Sequence, residues 1–174
     1  MNTPNKLTVL RMILVPIFMI VYMMNAIPYH TIIAAFIFIF ASITDWMDGY
    51  IARKNNIVTN FGKFMDPLAD KLLVTGALLC LMEKNLVSYW VVMIIIAREF
   101  IVTGLRLVAV TKGIVIAAGK LGKLKTVFQL IAISAAILSV PRLIVDVLIY
   151  ISVFLTALSG IDYLIRNRKV LIDE

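Results

Sequence analysis

Long apolar segments recur along almost the whole chain, and they limit the folds that it can adopt. They cover residues 7–26, 31–51, 67–82, 87–110, 126–140 and 143–165. A helix of about 20 apolar residues is long enough to cross roughly 30 Å of hydrocarbon. The chain is 62% hydrophobic and has a mean hydropathy of +1.01, well above an ordinary soluble domain. We therefore predict an all-α, polytopic integral membrane protein, a bundle of six transmembrane helices.

The basic residues are distributed unevenly between the two ends of these segments. If the N-terminus lies in the cytoplasm, all of the 17 lysines and arginines except Lys84 and Arg142 lie on the cytoplasmic side. This bias predicts that both termini are cytoplasmic. The external connections are too short to form domains, so we predict one membrane domain over residues 1–174. The polar start has no cleavage site, and we expect no cleaved signal.

Four aspartates lie in and around the connection between the second and third apolar segments. The chain has only 10 acidic residues, and carboxylates beside apolar segments are costly unless they are paired or bind a cation. Asp45 and Asp48 are three residues apart and Asp66 and Asp70 are four apart, so each pair shares one helix face. Four close carboxylates need neutralising cations, and oxygen ligands suit Mg²⁺, Mn²⁺ or Ca²⁺. We predict a metal site at the cytoplasmic boundary, where two ions would suit displacement at phosphorus.

Neighbouring residues offer further contacts to a ligand. Gly49 costs about 1 kcal/mol relative to alanine inside a helix, which indicates close approach by a ligand or, alternatively, by another helix. Arg53 could hold a phosphate or serve as a basic anchor, and Thr59 offers a hydroxyl group in the connecting loop. Pro67 suits the first turn of a helix or a kink.

The stretch from Asp45 to Asp70 reads D-x2-D-G-x2-A-R-x8-G-x3-D-x3-D, and it resembles the signature of the CDP-alcohol phosphotransferase family. The resemblance implies transfer of a phosphatidyl or related group from a CDP-linked donor to an alcohol, with release of CMP. It implies two Mg²⁺ or Mn²⁺ ions on Asp45, Asp48, Asp66 and Asp70, with Asp70 also acting as the catalytic base. It further implies a homodimer. The nucleotide contacts that it implies in this stretch are Asp48, Gly49, Arg53, Thr59 and Gly62.

The acceptor alcohol must be inferred from other residues, because the signature leaves it open. The fourth apolar segment carries Arg98, Glu99 and Arg106, and charges there require a partner or a function. Arg98 and Glu99 are adjacent and do not face each other on a helix, so they are not an obvious internal pair, whereas Arg98 and Arg106 lie near one face. Three lysines follow, for which an ordinary basic loop is the alternative interpretation. We predict a basic pocket for a phosphorylated acceptor, formed by Arg98, Arg106, Lys120, Lys123 and Lys125.

The patterns A-R-E-x5-L-R and G-K-x-K-T, together with P-N-K-L-T-V-L-R at residues 4–11, resemble the phosphatidylglycerophosphate synthase branch of that family. This resemblance implies CDP-diacylglycerol as donor, glycerol 3-phosphate as acceptor, and Asn5, Thr8 and Arg11 as further CDP contacts. It places the protein in a bacterial plasma membrane among lipids, with no nucleic-acid partner. Phosphatidylglycerol (as in cardiolipin synthases), inositol phosphate and serine remain alternative acceptors. A cation or proton transporter is the alternative from another class, and it predicts acids near the bilayer midplane.

Overall fold

Helices make up almost all of the described chain. The computed structural model describes residues 3–54, 60–114, 116 and 119–168, and the side chains of all of these except 3–4, 45–54, 60–64 and 66. Its described residues contain no strand, so the all-α prediction is confirmed, and each predicted apolar segment corresponds to one helix. The helices are α1 (Thr3–Met23), α2 (His30–Lys54), α3 (Asn60–Glu83), α4 (Tyr89–Thr111), α5 (Lys120–Ile137) and α6 (Arg142–Arg166).

Four helices extend beyond the apolar segments that predicted them. Helix α2 continues to Lys54, and α1, α3 and α5 begin at Thr3, Asn60 and Lys120, several residues before the apolar segments at 7, 67 and 126. About half of the added residues are polar, and they continue the helices because backbone hydrogen bonding does not require apolar side chains. Pro67 consequently lies in the interior of α3, so the interpretation that it occupies the first turn of a helix is wrong.

The helices have the apolar character of a membrane protein. Among the described residues, Asn5–Met23 and Arg142–Arg166 are long and apolar enough to be candidate membrane spans, and the apolar part of α2, His30–Thr44, is shorter. Every helix also exposes large apolar side chains, which soluble proteins rarely do over wide areas. Examples, one from each helix in chain order, are Ile20, Phe36, Leu68, Phe100, Val127 and Phe154.

The chain divides into two compact units. The first comprises Met1–Leu86 and Ile133–Val140, and the second comprises Val87–Ala132 and Pro141–Glu174. The first unit therefore contains α1, α2, α3 and the end of α5. The second contains α4, most of α5, and α6.

In the first unit, α1 packs against both α2 and α3. The ring of Phe18 on α1 lies 5.9 Å from that of Tyr22 and 5.8 Å from that of Phe38 on α2. Helices α1 and α3 approach closely at Gly76, because a Cβ atom there would lie only 3.1 Å from side-chain atoms of Val15 and Met19. The apolar residues of α1 thus hold α2 and α3 together, and these two helices carry the aspartates.

In the second unit, α4 packs against α6. Val102, Leu105 and Ala109 of α4 are buried with Tyr163 of α6 in one cluster. Helix α4 begins at a cap in which the Ser88 hydroxyl accepts a hydrogen bond from the backbone N–H of Val91, at 3.4 Å. This packing determines where the charged residues of α4 lie.

Candidate active site

The backbone places the four predicted metal ligands on two helices that are joined by a short connection. Asp45 and Asp48 lie near the C-terminal end of α2, and Asp66 and Asp70 lie in the N-terminal half of α3. The two helices pack against each other. Since all four residues are helical, their spacings put each pair on one face, as predicted.

Only one of the four carboxylates belongs to a described side chain. Asp70 is partly buried, and the side chains of Asp45, Asp48 and Asp66 lie outside the described residues. For that reason no group of three or more His, Cys, Asp or Glu that could hold a metal ion occurs among the described side chains. The donor set fits Mg²⁺ or Mn²⁺, because these ions prefer carboxylate oxygens. The metal site remains a prediction.

The nucleotide contacts predicted within the signature fall in the same region. Gly49 and Arg53 belong to α2 and Gly62 to α3, but only their backbone is described. Thr59 lies outside the described residues. Their proposed contacts to CDP therefore stay predictions.

A buried polar face of α1 lies beside this region of α2. Asn5, Thr8 and Arg11 recur every three residues along α1; Asn5 and Thr8 are buried and Arg11 is 0% exposed. The Nε of Arg11 donates to the carbonyl oxygen of Ala41 at 3.3 Å, and the hydroxyl of Thr44 donates to the same oxygen at 2.7 Å. Ala41 lies about one turn before the first aspartate. The structure thus places Arg11 beside the turn that leads into the acidic segment, and Asn5 and Thr8 lie on the same face of α1.

Charged residues singled out in the sequence meet Gln129, which was not, where side chains of α4 and α5 contact each other. One carboxylate oxygen of Glu99 accepts hydrogen bonds from Nη1 of Arg98, at 3.1 Å, and from Nζ of Lys125. The same Nζ donates to Oε1 of Gln129 at 3.0 Å. Lys125 and Gln129 are 5% and 3% exposed. We call these four residues the α4–α5 cluster.

The pairing of Arg98 with Glu99 corrects the expectation from the sequence. Adjacent residues of a helix do point in different directions, but the long arginine side chain spans the difference. The carboxylate also turns toward the buried ammonium group of Lys125, which places it between two cations. Because burial of an unpaired lysine is strongly disfavoured, this pair stabilises Lys125 in its buried position.

Both arginines of α4 contact α6, which confirms that they lie near one face. A Cβ atom at Gly160 would lie 2.9 Å from Cγ of Arg98, so glycine provides the space for that side chain. Further along, Nε of Arg106 donates to the hydroxyl of Tyr163 at 2.9 Å, and its guanidinium lies 5.4 Å from the ring centroid. This is the geometry of a cation–π contact.

Comparison with known proteins identifies the family. The sequence model of the family described as CDP-alcohol phosphatidyltransferase matches residues 1–158. The chain belongs to the CDP-alcohol phosphatidyltransferase family. It is 48% identical to a Bacillus subtilis (strain 168) protein over 98% of this chain and 97% of that protein. That relative is named CDP-diacylglycerol–glycerol-3-phosphate 3-phosphatidyltransferase.

Two further relatives carry the same name. The protein of Rickettsia bellii (strain RML369-C) is 38% identical, with 97% of this chain and 96% of the relative covered. The protein of Escherichia coli (strain K12) is 37% identical, with coverage of 99% and 98%. The family resemblance predicted from the signature is confirmed over nearly the full length.

In this CDP-alcohol phosphatidyltransferase, the structure gathers only some of the predicted acceptor residues. Arg98 and Lys125 belong to the α4–α5 cluster, and Arg106 lies further along α4 beside α6. Lys120 and Lys123 are exposed at the start of α5. Burial therefore distinguishes Lys125 from the two lysines that precede it.

Three residues that contact the basic side chains of this phosphatidyltransferase were not predicted, namely Gln129, Gly160 and Tyr163. Gln129 lies four residues after Lys125, so the two share a helix face, and that spacing was an available signal. Gly160 is three residues before Tyr163 on α6, but nothing local in the sequence indicates that it faces Arg98. The contact depends on which faces of α4 and α6 meet.

Proposed function

We propose that this chain transfers the phosphatidyl group of CDP-diacylglycerol to sn-glycerol 3-phosphate, giving phosphatidylglycerophosphate and CMP for the synthesis of anionic phospholipids. The observation that carries the proposal is the near full-length similarity, at 37–48% identity, to relatives named for this reaction. The charge distribution of the second unit agrees with it, because a phosphorylated acceptor requires cationic and hydrogen-bonding partners.

The acidic segment binds the donor in this proposal. Asp45, Asp48, Asp66 and Asp70 hold two Mg²⁺ or Mn²⁺ ions, which when bound neutralise the pyrophosphate and the charge of the departing CMP. Asp70 accepts the proton of the acceptor's 1-hydroxyl group as that oxygen attacks the β-phosphorus. The new bond joins this oxygen to the phosphatidyl phosphorus, and the bond to CMP breaks. The remaining donor contacts are Asn5, Thr8, Gly49, Arg53, Thr59 and Gly62.

The basic residues of α4 and α5 bind the acceptor's phosphate. Arg98 and Lys125 are held close together by Glu99, and Arg106 is oriented by Tyr163. Lys120 and Lys123 add positive charge at the start of α5. Serine brings no phosphate and would leave this many cationic groups without one, and phosphatidylglycerol brings only a phosphodiester with a single negative charge. This favours the phosphate monoester, glycerol 3-phosphate, over serine or phosphatidylglycerol.

We also propose that all six helices cross a bacterial plasma membrane, with both termini and the active site on the cytoplasmic side. The support is the bias of the lysines and arginines and the exposed apolar side chains of every helix. Lipids then surround the helices, and the acyl chains of CDP-diacylglycerol stay in the bilayer. The protein works as a homodimer.

The test is release of CMP from CDP-diacylglycerol by the purified protein in detergent micelles. Glycerol 3-phosphate, phosphatidylglycerol, inositol phosphate and serine are supplied in turn. We expect CMP only with glycerol 3-phosphate, and we expect Asp70→Asn to abolish turnover while CDP-diacylglycerol still binds. If CMP were released only with one of the other three acceptors, the choice of glycerol 3-phosphate would be refuted. If no CMP were released with any of the four, a transporter would be favoured. Near-normal turnover by Asp70→Asn would refute its role as the base.

A further inference from the structure

Two buried donor groups in the α4–α5 cluster have no partner among the described residues. They are Nε of Arg98 and the amide nitrogen, Nε2, of Gln129. Gln129 is 3% exposed, so water cannot readily reach its amide. Buried polar groups are almost always hydrogen-bonded in folded proteins. Because both open groups are donors, a ligand that satisfies them must bring acceptor oxygens.

The orientation of the Gln129 amide follows from its neighbour. The ammonium group of Lys125 has only donors, so it can bond only to the oxygen of the amide. The observed bond from Nζ to Oε1, at 3.0 Å, satisfies this requirement. The two N–H groups of Nε2 therefore point away from Lys125. Since Lys125 is itself fixed by Glu99, the amide nitrogen is held in one position.

The guanidinium of Arg98 lies beside α5, the helix that carries Lys125 and Gln129. A Cβ atom at Gly122, in the first turn of α5, would lie 3.7 Å from Nη2 of Arg98. Lys125 and Gln129 follow on α5 at helical spacing. With Arg98, Lys125 and Glu99 charged, the α4–α5 cluster has a net charge of about +1. A net positive, donor-rich cluster favours an anion with several acceptor oxygens.

We propose that Gln129 is a specificity-determining residue of the acceptor site, whose amide nitrogen donates to a phosphate oxygen of glycerol 3-phosphate. Nε of Arg98 donates to the same phosphate group, and Glu99 is a positioning residue that acts through Lys125. This inference rests on the proposed function. An acceptor without a phosphate leaves these buried donors unpaired, and sites of this kind reject such analogues strongly.

The experiment compares Gln129→Met and Gln129→Glu in the full-length protein. Methionine keeps the length of the side chain but has no donor, so we expect the KM for glycerol 3-phosphate to rise roughly 10-fold or more. Glutamate replaces the donor with a negatively charged oxygen, which removes the hydrogen bond and also repels the phosphate. We therefore expect the KM for glycerol 3-phosphate to rise roughly 100-fold. The KM for CDP-diacylglycerol should change less than about two-fold in both variants, since the donor binds elsewhere in this proposal.

The matched control is Ser152→Ala on α6. Like the amide nitrogen of Gln129, the hydroxyl of Ser152 is buried and has no partner among the described residues. Its removal should leave both KM values unchanged. If the wild-type protein uses glycerol 3-phosphate but Gln129→Met has an unchanged KM for it, the inference about Gln129 is overturned and the proposed function stands. An equal rise in both KM values in the Gln129 variants would show that Gln129 has a structural role, and it would also overturn the inference. A wild-type protein that uses a different acceptor overturns the proposed function itself.

Discussion

Gly160 gives the most specific prediction, because adding one methyl group there disturbs one identified side chain. In Gly160→Ala the new Cβ would lie 2.9 Å from Cγ of Arg98, 3.9 Å from its Nε and 4.0 Å from its Cβ. The closest atom belongs to the stem of the arginine and not to its flexible tip. The stem must therefore rotate, and the guanidinium moves away from its position beside Glu99.

The expected cost falls on acceptor binding more than on folding. Overpacking costs about 1–3 kcal/mol, but alanine gains about 1 kcal/mol of helix propensity over glycine. The net loss of stability is thus at most about 2 kcal/mol. Displacing Arg98 removes a hydrogen bond to a charged phosphate, about 1.5–3 kcal/mol. At about 1.4 kcal/mol per factor of ten, the KM for glycerol 3-phosphate should rise roughly 10- to 150-fold.

The assay is CMP release with each substrate varied in turn, accompanied by a thermal melt. Gly104→Ala is the matched control, because a Cβ there meets nothing within 4 Å, and it should leave both KM values unchanged. A double-mutant cycle with Arg98→Ala identifies the route of the effect. Once Arg98 is absent, Gly160→Ala should add nothing to the acceptor KM.

Two results would refute this reasoning. If Gly160→Ala folds normally and keeps the wild-type acceptor KM, Arg98 does not hold the phosphate in the conformation described. If the substitution raises the acceptor KM equally in the presence and absence of Arg98, the effect passes through another residue.

Arg106→Ala should raise the acceptor KM several-fold, whereas Arg166→Ala, which breaks only an exposed pair on α6, should not; equal effects would contradict a role for Arg106. Glu99→Gln removes the carboxylate beside the buried Lys125 and should destabilise the acceptor-free protein by about 3 kcal/mol. Because Lys125 is then no longer positioned, added glycerol 3-phosphate should raise the melting temperature less than in wild type, and an equal shift would contradict the positioning role of Glu99. A chelator should abolish CMP release, and Mg²⁺ or Mn²⁺ should restore it; full activity in the chelator would refute the metal site. With Cys80 replaced by serine, an impermeant maleimide should label Ala26→Cys on intact spheroplasts but Arg168→Cys only after permeabilisation, and the opposite pattern would invert the topology.

The fold was largely predictable from the apolar segments, and the errors of that prediction have a common cause. Each segment marked one helix, since a membrane requires long apolar side-chain runs. The polar extensions of α3 from Asn60 and of α5 from Lys120 were not predicted, because hydropathy reports burial and not backbone hydrogen bonding. Of the two alternatives for Pro67, the first turn of a helix was wrong for the same reason.

The candidate site was predictable where its residues are close in sequence. The aspartates of α2 and α3 have helical spacings that can be recognised directly. The contact of Gly160 with Arg98 could not be predicted, because it depends on the packing of two helices distant in sequence. The pair of Arg98 and Glu99 was missed since helix geometry fixes Cβ directions but not the reach of an arginine. Gln129 could have been found from its spacing to Lys125.

Arg11 also has a consequence for the order in which the chain is assembled. Its hydrogen-bond acceptor, the carbonyl oxygen of Ala41, lies 30 residues later on α2. During synthesis, α1 therefore emerges before this acceptor. Until then the long side chain can keep its charge hydrated by extending toward water at the helix end. The hairpin of α1 and α2, and not α1 alone, is the first piece of the nascent chain in which the bond from Arg11 to Ala41 can form.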